Sequence, residues 1–421
     1  MTNRAMKDSG VEWIGAIPED WEILKYKRFA KSGMGSTLLK EDVLISEEPN
    51  SVPVYSATQT DKHFGYLQNP KIVLEKGDLV IPARGNSIGN TKIIKEAIAT
   101  CTQTTIYSKL NNKIDNRFLY YCSIGLKEYW FFFVQTAIPQ ITVAEVQNNL
   151  VPFTSMKEQK KIAAFLDEKV AHIDNIIEDT KKSIENLKFY KQSLITETVT
   201  KGLDSNVEMK DSGIEWIGEI PSHWDTVKMK RLGNIRNGLT YKPIDIVDSE
   251  EGILVLRSGN IQNSQLSFQD NVHVKKEINP DLIVSKGDIL ICSRNGSRKL
   301  IGKNAIIEDD LKATFGAFMM LFRPNELPKY IYYILNSEVF NFYLGTFLTS
   351  TINQLTKGNF ENMKIVFCPD TDEQGKIVAF LNDKVDKLNS MIQDKEKLLN
   401  EFESYKKSLI YEYVTGKKEV E

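Results

Sequence analysis

Cysteine is scarce: Cys101, Cys122, Cys292 and Cys368 are the only four in 421 residues. None stands in a C-x-x-C pair, which argues against a zinc site and against a disulfide framework and fits a reducing, cytoplasmic setting. Long apolar runs are also missing. No stretch approaches the ~18 residues of a membrane span, and the opening MTNRAMKDSG lacks the apolar core of a secretory signal. The four histidines, His63, His172, His223 and His273, are dispersed and have no metal-ligand spacing. Charge of one sign is lacking too. The 54 basic and 56 acidic residues leave a net charge of −2, which speaks against a generally basic nucleic-acid binder. What remains is a chain 41% hydrophobic, able to bury real cores. At ~150 residues per domain its length corresponds to two or three domains.

Catalytic signatures are missing as well. A phosphate-binding loop needs G-x-x-x-x-G-K-[ST], so that backbone amides cradle phosphate. Gly302-Lys303 is followed by Asn304 and has no upstream glycine at the right spacing. There is no G-x-G-x-x-G after a strand and no G-x-S-x-G elbow. Asn69-Pro70-Lys71 and Asn279-Pro280-Asp281 do not make the Asn/Asp-Pro-Pro-aromatic loop of a DNA amino-methyltransferase. Pro369-Asp370 ahead of Lys376 has a nuclease-like pattern, but Asp370 is better explained as a helix cap. The reading is a binding protein rather than an enzyme.

The chain is written twice. MKDSGVEWIGAIPEDW at 6–21 and MKDSGIEWIGEIPSHW at 209–224 agree at twelve of sixteen positions, at an offset of 203. KGDLVIPARGNS (76–87) matches KGDILICSRNGS (286–297) at offset 210. I-x-Q-[IL]-T recurs at Ile138–Thr142 and Ile352–Thr356, and EQKKIAAFLDEKV (158–170) matches EQGKIVAFLNDKV (373–385). The growing offset implies small insertions in the second copy. Within each copy, short β-rich runs (Lys71–Ile81, Ile289–Ile291, Lys364–Phe367) broken by Gly, Asn and Pro give way to one long helix. The expected fold class is mixed α/β (α+β). The expected division is a first domain at 1–155, a helix at 156–205, a second domain at 206–369 and a helix at 370–421.

Each helix starts with capping-box spacing, Ser155 with Glu158 and Asp370 with Glu373. From Ala163 and from Val378 heptads run without Pro or Gly. Ala163, Val170, Ile177, Ile184 and Lys191 form one column, and Leu166, Ile173, Thr180, Leu187 and Leu194 the other. Val378, Val385, Ile392, Leu399, Lys406 and Leu381, Leu388, Lys395, Phe402, Leu409 repeat the pattern. Such columns predict a coiled coil in which the two helices bury each other's stripes, the alternative being a helix that packs on its own domain. The polar seam positions Thr180, Lys191, Lys395 and Lys406 set register or face a third helix. Gly202 and Gly416 mark the helix ends, and His172 reads as a solvated face residue. A helix of ~42 residues is ~63 Å long, a rigid spacer.

Basic residues cluster locally despite the neutral total: Lys25, Lys27, Arg28 and Lys31; Lys228, Lys230, Arg231 and Arg236; Arg294, Arg298, Lys299 and Lys303. Such patches contact phosphate because the interaction is local and screened beyond ~8 Å. Arg, Asn, Gln and Ser in polar loops also read base edges. Arg84-Gly-Asn86-Ser87 and Arg294-Asn295-Gly-Ser297 each follow a β run, and Gln140 and Gln354 recur in the I-x-Q segment. For each residue the bland alternative is an ordinary turn. Recurrence of Arg84 and Arg294 at equivalent places favours a binding role.

On the duplicated K-D-S-G-[VI]-E-W-I-G-x-I-P-x-x-W openings, the K-G-D segments with their polar loops, and the E-Q-x-K-I-x-A-F-L helix starts, the chain resembles the specificity (S) subunit of type I restriction–modification enzymes over nearly its whole length. The resemblance implies two target-recognition domains with pseudo-twofold symmetry, each reading half of a bipartite double-stranded DNA sequence, and two antiparallel spacer helices fixing the gap. It implies as partners two methyltransferase subunits using S-adenosylmethionine and restriction subunits using ATP and magnesium, with no cofactor, metal or catalysis in this chain. It also implies that KSGMGST, with Lys31, Ser36 and Thr37, is a DNA-facing loop, with Arg236-Asn237-Gly-Leu-Thr as its counterpart. Half-sites one duplex turn apart are ~34 Å from each other, a span a long helix pair can enforce. The competing reading is a tandem coiled-coil adaptor binding proteins with both domains.

Overall fold

In the computed structural model, which describes residues 4–58, 62–131, 140–325, 327–348 and 353–420, both K-G-D segments are turns that lead into a central strand. Gly77 (φ +94°) and Gly287 (φ +91°) take the left-handed conformation that only glycine adopts cheaply. The aspartates that follow tie the turns down. Asp78 accepts from the Glu75 and Leu110 amides at 2.9 and 3.0 Å. Asp288 accepts from the Ser285 amide at 2.8 Å and from Arg323 at 2.7 Å. The β run expected over Lys71–Ile81 is therefore two strands, Leu74–Glu75 and Leu79–Pro82, separated by the glycine turn.

The chain forms two compact units. One holds Met1–Lys181 with Lys397–Glu421, the other Lys182–Glu396, so each unit takes part of each long helix. The first unit carries an antiparallel sheet of Ala30–Met34, Thr105–Leu110, Leu79–Pro82 and Lys92–Ile93, in that spatial order. Its second sheet runs Gly65–Gln68, Ser51–Tyr55, Ile98–Cys101, Leu74–Glu75, with Ser51–Tyr55 and Ile98–Cys101 parallel. The second unit repeats this plan. Gly233–Asn237, Met319–Pro324, Ile289–Cys292 and Asn304–Ile306 make one sheet. Ile246–Val247, Val272–Val274, Ile253–Leu256 and Ala313–Phe315 make the other, again with one parallel pair. Leu79–Pro82 and Ile289–Cys292 are buried along their whole length. A strand covered on both faces has no alternation, which is why both read as continuous apolar runs.

The long helices span Met156–Lys201 and Thr371–Val414. Within the first unit their segments run antiparallel: Lys406 bonds Asp174 at 2.5 Å and Lys181 lies 3.7 Å from Glu403. Within the second unit Lys188 meets Glu396 and Lys191 meets Asn389, both at 2.9 Å. The heptad columns are the buried ones, from Ala163, Leu166, Val170 and Ile173 through Val378, Leu381, Val385 and Leu388. Lys191 and Lys406, polar positions in those columns, bond to the facing helix segment. His172 is exposed.

The capping boxes form only by half. Ser155 Oγ accepts from the Glu158 amide at 3.3 Å, and Asp370 accepts from the Asp372 and Glu373 amides at 2.8 and 3.4 Å. The glutamates do not reach back. Each instead accepts the indole N–H of the last tryptophan of its opening motif: Trp21 to Glu158 and Trp224 to Glu373, both at 3.1 Å. Both indoles are fully buried. The adjacent Gln159 and Gln374 are buried and donate to the Thr154 and Cys368 carbonyls at 2.7 and 2.8 Å. The repeated W and E-Q letters are thus one seam that joins the opening hairpin to the helix start. Each seam is finished by a helix end. Gly202 (φ +76°) lies against Trp224, and Gly416 (φ +71°) against Pro18 and Trp21.

Candidate nucleic-acid interface

The recurring arginine and glutamine of each copy meet in space. Arg84 faces Gln140 across an isolated antiparallel bridge, and Arg294 faces Gln354 across another. Flanking backbone bonds fix both. The Ile141 amide donates to Ala83 at 3.0 Å and the Leu355 amide to Ser293 at 2.8 Å. On the other side the Ala83 amide donates to Thr104, and the Ser293 amide to Phe318, each at 2.9 Å. All four side chains of the two bridges are exposed. Ile138 and Ile352, which begin the recurring I-x-Q segments, lie outside the described residues.

A further segment of the same unit approaches each bridge. Ser36 pairs with Thr102, and Leu239 with Gly316, as single parallel bridges. Gly35 and Gly238 make this possible: a Cβ there would lie 2.2 Å from the Thr102 carbonyl oxygen and 2.1 Å from that of Gly316. Arg236-Asn237-Gly238-Leu239-Thr240 thus occupies the place of Gly33-Met34-Gly35-Ser36-Thr37.

The remaining expected residues divide. The segment taken as a DNA-facing loop is strand from Ala30 to Met34. Lys31 pairs with Lys109, and at ~3.3 Å per residue it stands ~17 Å from Ser36. Of the three residues named for that loop, Ser36 and Thr37 lie beyond the strand. Ser36 is half-buried, and Thr37 donates to Gln103 at 2.7 Å. Asn86 is exposed, but Ser87 is buried and donates to the Ala57 carbonyl at 2.8 Å, so it serves the turn. Arg236 and Asn237 are exposed at the end of the strand Gly233–Asn237, with Arg236 3.6 Å from Asp281. Asn295 donates to Ser258 at 3.2 Å and accepts from the Ser297 amide at 2.9 Å. Ser297, Arg298 and Lys299 are exposed, and Arg298 reaches the Gly345 carbonyl at 3.4 Å. Lys303 turns inward to the Ile261 carbonyl at 2.7 Å, and its burial lowers its pKa.

In the second unit these parts line an open groove of about 1200 Å³. Arg294, Asn295 and Gln354 form one wall, and Tyr241, Arg257, Ser258 and Phe318 contribute the rest. Arg298 and Lys299 stand outside it. Arg257 bonds Asp270 at 2.8 Å, and the Arg294 guanidinium lies 5.5 Å from the Phe318 ring centroid. The repeat gave no signal for Arg257, Ser258 or Phe318, because the first copy has Ser56, Ala57 and Thr104 at the matching strand positions. Among the described residues no cluster of three His, Cys, Asp or Glu could hold a metal ion. Nor is any of their helices long and apolar enough to cross a membrane.

The family model for the type I restriction modification DNA specificity domain matches the chain twice, at residues 18–186 and 221–401. The chain belongs to that family. It is a DNA-sequence-recognition subunit with its specificity domain present in two copies. The type I restriction enzyme MjaVIII specificity subunit of Methanocaldococcus jannaschii is 28% identical over 357 residues, 80% of this chain and 79% of that protein. The EcoKI specificity subunit of Escherichia coli is 25% identical over 177 residues, 41% of this chain and 37% of that one. A chain from a solved structure on complex assembly and conformational transition of the type I R-M system shares the fold. Its TM-score is 0.68 at 15% identity, covering 96% of this chain and 99% of that one. The mixed α/β fold expected from the repeats is the fold observed.

Proposed function

We propose that each unit reads one half of a bipartite duplex target through its Arg–Gln bridge and the loops beside it. Arg84 and Gln140 serve the first half, and Arg294, Asn295 and Gln354 the second. One observation carries this reading. The same pair of side chains, of the types that bond guanine and adenine edges bidentately, is held at the same place on two sheets whose surrounding loops differ. A protein-binding adaptor leaves that recurrence without a purpose.

In this reading the long helices set the distance between half-sites, and the chain itself carries no catalysis. Two methyltransferase subunits supply S-adenosylmethionine chemistry, and restriction subunits supply ATP- and magnesium-dependent cleavage. The near-neutral charge of the chain leaves much of the phosphate attraction to those partners. Selection of bound sequences from a random duplex pool, using the subunit assembled with its methyltransferase subunits, tests the proposal. Two short conserved blocks separated by a fixed gap are expected. Recovery of no enriched sequence would sink it.

A further inference from the structure

The groove of the second unit contains a side chain that neither the repeat nor the Arg–Gln bridge explains. Phe318 is 59% exposed. It sits third in the turn Gly316–Met319, which is closed by the Met319 amide donating to Gly316 at 2.8 Å. Its own carbonyl accepts three bonds, from the Ser293 amide (2.9 Å), the Arg294 amide (3.1 Å) and Ser293 Oγ (2.9 Å). The backbone of Phe318 is therefore fixed to the very segment that presents Arg294. A phenyl ring left in water forfeits its burial, yet here it is held out rigidly on a groove wall, beside an arginine.

The first unit builds the same turn with other chemistry. Thr102–Thr105 is closed by the Thr105 amide donating to Thr102 at 3.0 Å, and Thr104 takes the place of Phe318. Thr104 and Thr102 share a hydroxyl–hydroxyl bond of 2.8 Å, and Gln103 accepts from Thr37 at 2.7 Å. The fold therefore does not require an aromatic residue at this position.

Building on the DNA-reading proposal, we infer that Phe318 is a specificity-determining residue that packs on the C5-methyl group of a thymine in the second half-site, next to the base contacted by Arg294. The thymine methyl is the one apolar feature on a base edge in the major groove, and phenylalanine is among the side chains that read it. The first unit, with threonine and glutamine there, offers hydrogen-bonding groups in place of a ring.

The test uses the subunit assembled with its methyltransferase subunits on its own target duplex. Each thymine of the second half-site is replaced in turn by deoxyuridine, which removes only the methyl. One replacement weakens wild-type binding about fourfold, the value of one buried methyl. Phe318→Ser, which has no methyl or ring to meet the base, binds the thymine and uracil duplexes equally and keeps its preference at the first half-site. Phe318→Leu retains part of the discrimination. Indifference of the wild-type complex to every replacement, a second half-site without thymine, or a Phe318→Ser complex as sensitive as wild type would each overturn the inference. Failure of the broader reading looks different: the wild-type complex then prefers no sequence at either half-site.

Discussion

Arg294 and Gln354 face each other across a single antiparallel bridge. Each is exposed, and the segments carrying them are held by backbone bonds from the Ser293, Arg294 and Leu355 amides. The guanidinium of Arg294 lies over the Phe318 ring, and both side chains of the bridge stay exposed where a base can reach them. Arg294→Ala should cost ~1–3 kcal/mol of binding to the cognate duplex if it pairs with guanine. It should relax only the second half of the methylated motif, and Arg84→Ala only the first. Sequencing the modified bases in cells carrying each variant checks this. An unchanged motif in either would remove that arginine from the interface.

A second prediction concerns Gly238. A methyl there meets the Gly316 carbonyl oxygen at 2.1 Å. Gly238→Ala should destabilise the second unit by about 1–3 kcal/mol, the usual penalty of overpacking, and blur the second half-site. Gly345→Ala, in the helix Glu338–Phe347 with open space at its Cβ, should instead stabilise by about 0.5–1 kcal/mol. Urea unfolding of the two variants gives opposite shifts in midpoint if the packing is as described.

Much of this was legible in the letters. The seam columns, the helix ends at Gly202 and Gly416, and the Arg–Gln recurrence all follow from periodicity or duplication. What the letters hid lies where one residue type serves two physical roles. Ser155 with Glu158 reads as a capping box, yet the glutamate is claimed by an indole that is distant in sequence. The resemblance implies that Lys31 opens a DNA-facing loop, yet Gly33 packs beneath Tyr107 within a strand. Ser87 matches Ser297 in sequence, but one is buried and the other exposed. Phe318 was invisible because comparing the two copies finds only what they share.

The seams make stability depend on acid. Burial opposes ionisation of Glu158, but hydrogen bonds from Arg4, Thr154 and Trp21 and the Arg4 charge outweigh it, so its carboxyl titrates below the ordinary value. Glu373 is lowered in the same way: burial is outweighed by bonds from Cys368, His223 and Trp224 and by the His223 charge. A carboxylate with a depressed folded pKa stabilises fully above its unfolded pKa and loses that contribution as pH falls through the folded value. Melting temperature should therefore fall on acidification below about pH 4.5, the ordinary value for glutamate. The Glu158→Gln, Glu373→Gln double variant should melt lower at neutral pH and show a flatter slope in the acid window. Parallel slopes for the two proteins would contradict the account.

Adding seven residues to both long helices, at 170–194 and at the facing stretch of Thr371–Val414, keeps the heptad columns in phase and lengthens each by ~10.5 Å. The gap between half-sites should grow by about three base pairs, at ~3.4 Å each. Motif sequencing that returned the original gap would count against a spacer role. Seven residues added to one helix alone should mispair Lys191 with Asn389 and prevent assembly.

The core of the first unit includes Leu409, Ile410 and Val414 beside Ile14, Trp21 and Ile162. The second unit is complete within Lys182–Glu396. On the ribosome, then, the head made first is finished last. Its apolar helix stripe waits while some two hundred residues are added, on the order of tens of seconds at usual elongation rates. A chain stopped short of its last helical turns would keep every strand of that head and still leave it open. Chaperone demand and sensitivity to truncation should thus fall on the first unit, through residues some two hundred positions further along the chain.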